Sequence, residues 1–270
     1  MTRDRIFIGT DGEGIGHIYA FDLATGEVAW KHPHKTTVLS GFTSDVLLAG
    51  NRVVGVTTDE EVIALNASTG AQVMKSAPGV RRHFVGCSAA VANDRVFVGS
   101  TAGNVRAIDL RSGAEIWKRD VGAEVSTSVA VVADSLVVGT EGKKLVRLRA
   151  SDGRILGSLG LDVKPYDTLV VTAHGVLVRS DKSFLLVDPT LERIVWRADS
   201  KSEWTSPRPR LWHGLVLVGD NDGRLFALNE ATGATKWSQK IGDKGIRGIG
   251  SDDDVIYAGT YSGKVIAFRP

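Results

Sequence analysis

The strongest constraint on this chain is internal repetition. The stretch Val96-Phe-Val-Gly99-Ser-Thr-Ala-Gly103-Asn-Val-Arg-Ala107-Ile-Asp109-Leu-Arg-Ser112-Gly113-Ala-Glu-Ile-Trp117 recurs along the whole length. One copy runs from Ile6 through Gly9, Asp22 and Gly26 to Trp30, and another from Leu215 through Gly219, Asn229 and Gly233 to Trp237. With the Asp109 position as anchor, the copies fall at Asp22, Asn66, Asp109, Arg149, Asp188, Asn229 and Arg269. Their spacings are 44, 43, 40, 39, 41 and 40 residues. Such a period matches one four-stranded propeller blade.

Each repeat reads as strands. Val53–Val56, Val62–Leu65, Val96–Val98 and Leu215–Val218 are β-branched runs too short for helices. Glycines fall at fixed offsets between the runs, where tight hairpins need positive φ. With the four strands of a blade lettered A to D in chain order, strand A is assigned to segments such as Cys87–Ala92, Ser128–Val132 and Thr168–Thr172. The first repeat starts at strand B and the last stops after strand C, which gives 26 strands. The expectation is all-β: a single domain over residues 1–270, a seven-bladed propeller whose first and last blades are three-stranded. A sequence trimmed from a longer protein is the other account of those ends.

Tryptophan stands eight residues after the anchor in four repeats: Trp30, Trp117, Trp196 and Trp237. Met74 and Gly157 take that place in the second and fourth repeats. A flat ring at one position of successive blades is expected to pack between neighbouring sheets. Trp204 and Trp212 fall outside this pattern; Trp212 is assigned to its own blade's packing.

Composition excludes several classes. Hydrophobic residues make up 43% and charged residues 24%, an ordinary globular balance. No apolar run approaches the roughly 18–20 residues of a membrane helix. The net charge of +2 gives no reason to expect nucleic acid. Cys87 is the sole cysteine, so no disulfide forms within the chain. No leader is legible before Ile6, which reads as cytoplasmic as written, or periplasmic or extracellular if an N-terminal signal was trimmed. His32-Pro-His34 lacks a third ligand nearby in sequence, so no metal site is expected.

The pattern Gly-Thr/Ser-x-x-Gly, then Ala-Leu/Ile/Phe-Asp/Asn-x-x-Thr/Ser-Gly, then Trp resembles the quinoprotein-type (PQQ-like) propeller repeat over the whole chain. That family includes quinone-dependent alcohol dehydrogenases, outer-membrane assembly scaffolds and propellers fused to bacterial Ser/Thr kinases. The dehydrogenases usually carry two adjacent cysteines over the quinone, whereas this chain has only Cys87. The resemblance therefore implies a non-catalytic scaffold or ligand-sensing module, without PQQ as a cofactor. A lyase or isomerase at the channel mouth is the alternative, and a quinone-dependent dehydrogenase relic the third reading.

In propellers the D-to-A connections surround one mouth of the central channel. The segments 31–45, 75–89, 118–130, 157–170, 197–210 and 238–250 hold 15 Lys and Arg against 8 Asp and Glu. A basic face of this kind focuses potential on anions. A protein partner or a small anionic ligand is expected there. The candidate binding residues are Asp45, Arg82, His83, Tyr166, Asp167, Trp204, Arg208 and Arg247. Arg208 or Arg247 would fork a carboxylate or phosphate. Trp204, in Glu203-Trp-Thr-Ser-Pro-Arg208, is expected at a loop tip as an aromatic anchor. Were the protein an enzyme, His83 or Tyr166 would be acid/base and Arg208 or Arg247 would stabilise an enolate-like anion.

Overall fold

The computed structural model describes residues 2, 4–12, 15–35, 40–42, 45–79, 89–204, 208–242 and 244–269. The architecture is all-β: a seven-bladed propeller of antiparallel sheets, with no helix among the described residues. The first sheet holds β1 (Arg5–Gly12), β2 (Ile15–Asp22), β3 (Val28–Lys35) and the two-residue β4 (Ser40–Gly41), in the order β3-β2-β1-β4. The next holds β5 (Leu47–Ala49), β6 (Arg52–Val56), β7 (Val62–Asn66) and β8 (Gln72–Lys75). The third holds β9 (Ala90–Ala92), β10 (Arg95–Gly99), β11 (Asn104–Asp109) and β12 (Glu115–Asp120). The fourth holds β13 (Ala130–Val132), β14 (Ser135–Thr140), β15 (Lys144–Arg149) and β16 (Ile155–Gly160). The fifth holds β17 (Val170–Thr172), β18 (Gly175–Arg179), β19 (Ser183–Val187) and β20 (Ile194–Asp199). The sixth holds β21 (Arg210–Trp212), β22 (Leu215–Gly219), β23 (Arg224–Asn229) and β24 (Thr235–Lys240). The last has three strands, β25 (Ile246–Ser251), β26 (Ile256–Thr260) and β27 (Val265–Phe268).

The described strands number 27 rather than 26, because Ser40–Gly41 pairs with Gly12 and Asp11 as a short extra strand on the first sheet. The A strands β13 and β17 each start two residues later than the sequence suggested, and they and β9, whose expected start at Cys87 lies outside the described residues, hold only three residues each. The chain divides into two compact units, Met1–Gly142 with Leu148–Leu156, and Lys143–Arg147 with Gly157–Pro270.

The anchor ends the C strand, and its chemistry explains the repeat. The Asp109 carboxylate accepts the backbone N–H of Arg111 and Ser112 and the Ser112 hydroxyl, at 3.0, 2.7 and 2.7 Å. Asp22, Asn66 and Asn229 build the same Asx turn. The glycine four residues on returns its N–H to the anchor carbonyl and sits at positive φ, +76° at Gly113 and +70° at Gly233.

These turns seat the tryptophans of the preceding blade. In the first unit, Trp30 Nε1 donates to the Ala67 carbonyl at 3.0 Å, and Trp117 Nε1 to Ala150 at 3.1 Å. In the second, Trp196 Nε1 donates to Glu230 at 2.9 Å. A Cβ on Gly70, Gly153 or Gly233 would lie 2.6–2.7 Å from the indole, so only glycine admits the ring. Where Gly157 replaces tryptophan, the next turn lacks its glycine, and Leu191 is buried there at φ +64°. Arginines opening the B strands add further ties in the first unit: Arg5 to the Ala67 and Ser68 carbonyls, Arg52 to Leu110, and Arg95 to Ala150 and Ser151.

Candidate functional site

Two buried arginines, each of which breaks the repeat, hold three of the D-to-A connections. In the second unit Arg179 ends β18 at the position of Gly9, Gly99, Gly139, Gly219 and Gly259 in other blades. At Gly9, Gly99 and Gly219 the following connection crosses close by: a Cβ on Gly219 would lie 2.2 Å from Ile246. At Arg179 the connection instead wraps around the guanidinium. Nη1 pairs with the Asp167 carboxylate and Nη2 donates to the Trp204 carbonyl. The guanidinium carbon lies 4.7 Å from the Tyr166 ring centroid, a cation–π contact. Arg179 is 6% exposed, so these contacts are made in a dry environment where removing one partner is costly.

The residues around Arg179 are fixed in turn. Asp167 adopts φ +67°, a left-handed conformation that aspartate tolerates better than most residues. The Tyr166 N–H donates to the Arg179 carbonyl at 3.0 Å. Burial, and then a hydrogen bond to Asp181, push the Tyr166 phenol well above its ordinary value of 10.0. It stays protonated at neutral pH and serves as a donor rather than a base. Asp220 is buried and its carboxyl is raised by desolvation, opposed by the Arg224 N–H.

In the first unit Arg106 occupies a C-strand position that holds Tyr19, Ile63, Val146, Leu185, Phe226 and Ile266 elsewhere. It is 4% exposed. Its Nε donates to Glu115 at 2.7 Å, and its two Nη groups donate to the carbonyls of Glu60 at 3.3 Å and Ala77 at 3.4 Å. Ser100 donates to the Glu60 carboxylate at 2.5 Å. A Cβ on Gly79 would stand 2.7 Å from the Arg106 guanidinium, so glycine lets the connection pass. Beside it, buried Glu61 lies 3.1 Å from both His34 Nε2 and Lys75 Nζ. Burial holds the His34 imidazole below its ordinary value of 6.5; the Glu61 charge works the other way, and Lys75 and His32 add to the lowering.

The structure brings Tyr166, Asp167 and Trp204 together around Arg179. It corrects the expectation for Trp204. The ring is 3% exposed, edge-on to Phe184 and Phe226 at 5.2 Å each, and the backbone bridges to Asp220. A side chain so enclosed is core, not a loop-tip anchor. Trp212 packs in its blade as expected and donates to the Asp252 carbonyl at 2.8 Å.

Arg208 is exposed ahead of β21. Arg247, in β25, is exposed with its guanidinium carbon 5.0 Å from the Tyr261 centroid. Asp45 is exposed ahead of β5. Arg82, His83 and Cys87 lie outside the described residues. Not all the D-to-A cations face outward alone: Arg197 is flanked by Asp199 at 2.8 Å and Asp162 at 2.5 Å, and Arg119 caps the Gly153 carbonyl. Sequence reasoning missed Arg179 and Arg106, although each is a cation where the repeat elsewhere places glycine or an apolar residue. Among the described residues no three His, Cys, Asp or Glu side chains gather as metal ligands.

A family model described as outer membrane protein assembly factor BamB matches residues 14–154 and 101–269. The chain is 24% identical to the protein of that name from Moranella endobia over 66% of its own length, and spans 53% of that relative. It is 24% identical to the one from Shewanella oneidensis over 97% of its own length, spanning 68% of that relative. The crystal structure of BamB from Moraxella catarrhalis superposes with a TM-score of 0.77 at 21% identity, covering 98% of this chain and 82% of the other. At that identity the likeness speaks for the fold. The chain thus spans about half to two thirds of the length of these relatives.

Proposed function

The chain belongs to the family described as outer membrane protein assembly factor BamB, and from that premise we propose that it is a non-catalytic scaffold that binds a protein partner through its basic D-to-A connections. The observation that carries this reading is the pair of buried arginines. Arg179 grips the connections that bear Asp167 and Trp204, and Arg106 grips the one that bears Ala77. Loops fixed before binding lose little entropy on binding. Exposed Lys201 and Arg208 flank the Trp204 segment that Arg179 holds, and exposed Lys244 and Arg247 add positive charge on the next connection. The partner surface that fits is acidic, and the association falls with salt. The role named for the relatives, outer membrane protein assembly, favours the periplasmic reading of this chain.

The test uses the full 270-residue chain as bait for the envelope proteins of its source cell. The captured partner is purified, and hydrogen exchange on the complex is mapped. Protection concentrated in residues 197–210 and 238–250 supports the reading; protection confined to the C-to-D turns at Gly113, Gly153 and Gly233 overturns it.

A further inference from the structure

We propose that a pocket between the second and third sheets binds a small molecule that carries a carboxylate on an apolar body. The pocket has a volume of about 510 Å³, within the ordinary range of ligand sites. It lies among A-to-B and C-to-D turns, the end of these antiparallel blades opposite the D-to-A connections, and the inference does not rest on those connections. Ala49, Val91 and Leu110 give it an apolar wall; they belong to the core packed between the two sheets. Arg52, Asp94 and Arg111 supply a charged rim.

The repeat shows what is particular to this place. Arginines open three B strands, and each donates Nη1 to the carbonyl just after the next sheet's anchor: Arg5 to Ala67, Arg52 to Leu110 and Arg95 to Ala150. At the first and third of these junctions the next residue is a serine, Ser68 or Ser151, whose carbonyl takes a second bond from the same nitrogen. At the middle junction that residue is Arg111, and Arg52 donates to Leu110 alone, at 2.8 Å. Two guanidinium groups therefore meet in one pocket where the sibling junctions have one.

The chemistry of the rim selects the ligand. Arg111 is tied to Asp94 through Nη2 alone, at 2.7 Å, with both side chains largely exposed. Among the described residues no further hydrogen bond engages the side chain of Arg52 or Arg111. Each guanidinium thus keeps N–H groups for a ligand. Two arginines against one carboxylate leave one positive charge in excess, which suits a monoanion. A carboxylate offers two oxygens to the planar guanidinium edge. The wall of Ala49, Val91 and Leu110 then takes the hydrocarbon part. The site is also set before binding, because the Asp94 carbonyl accepts the Leu110 N–H at 2.8 Å and fixes rim to wall.

The probe is octanoate, titrated into the full 270-residue chain and followed by backbone amide shifts in two-dimensional NMR. Saturable shifts centred on Arg52, Val91, Leu110 and Arg111 are expected, with a dissociation constant of about 1 mM or tighter. 1-Octanol, which lacks the carboxylate, should bind at least about tenfold more weakly. Inorganic phosphate, which lacks the apolar body, should fail to displace octanoate. Arg111→Ala should weaken octanoate about tenfold at an unchanged melting temperature, since only an exposed ion pair is lost with it. Asn51→Asp, which adds a second carboxylate to the pocket lining, should weaken it as well. Arg208→Ala and Arg247→Ala should leave the affinity alone, which separates this site from the D-to-A connections. The proposal is overturned if octanoate gives no saturable shifts, if the shifts centre outside the pocket, or if 1-octanol or phosphate binds there as tightly. Unchanged octanoate affinity in Arg111→Ala and Asn51→Asp overturns it too.

Discussion

Gly233→Ala and Gly26→Ala form a matched pair that isolates the indole-on-glycine lock. Both glycines close an Asx turn at nearly the same backbone angle, φ +70° and +73°. At Gly233 a Cβ would meet the Trp196 ring at 2.6 Å; at Gly26 nothing lies within 4 Å. The left-handed conformation costs an alanine about 1 kcal/mol at either site. At Gly233 the ring must also move, which adds about 2 kcal/mol of overpacking. Displacing it loosens the 2.9 Å bond from Trp196 Nε1 to the Glu230 carbonyl, worth about 1 kcal/mol. Unfolded-state effects of adding a methyl group are common to both variants and cancel. The expected losses are thus about 1 kcal/mol for Gly26→Ala and about 4 kcal/mol for Gly233→Ala. For a chain of this size the difference corresponds to roughly 6–10 °C in melting temperature by calorimetry. Equal losses would refute the claim that the ring, rather than the turn, makes glycine obligatory.

Arg179→Ala should destabilise by about 3 kcal/mol in urea titration, because it leaves the Trp204 carbonyl and Asp167 without their buried partner; a loss under 1 kcal/mol would remove Arg179 from its pinning role. His34 gives a pH dependence of defined sign. Its folded value is lowered by burial, so below the ordinary 6.5 the unfolded chain binds more protons, and stability present at higher pH is lost on acidification. Melting at pH 7.5 and pH 5 should show a larger drop for the wild type than for His34→Gln, with Glu61, Lys75, His32 and Asp59 unchanged around it; equal drops would contradict the assignment. Asp109→Asn should melt near the wild type, since Asn66 and Asn229 build the same turn, whereas Asp109→Ala should melt lower; the reverse order would show that charge rather than turn geometry matters.

The fold was legible because its signals are local and repeated. An anchor that caps its own turn and a glycine at positive φ recur at most C-to-D hairpins, so Asp22, Asn66, Asp109 and Asn229 align by eye. The tryptophan position was equally plain, and its packing role follows from ring size. The candidate site was less legible, since it depends on departures from the repeat. Tyr166 and Asp167 were noticed for their charge and ring, but the residue that unites them, Arg179, lies in an apolar strand far from the loops in sequence. Trp204 was misassigned because flanking prolines and arginines suggest an exposed loop. Its burial arises from Phe184 and Phe226 on two different strands, a contact invisible to local pattern. Short β4 was missed because two residues carry no periodicity.

The most direct test of the scaffold reading is charge reversal on the D-to-A connections. Partner affinity is measured by surface-immobilised binding at low and moderate salt for the wild type and for Lys201→Glu/Arg208→Glu/Arg247→Glu. The account expects the triple variant to fold normally, to bind at least about tenfold more weakly, and to lose the salt sensitivity of the wild type. Wild-type affinity with unchanged salt dependence in that variant would contradict it.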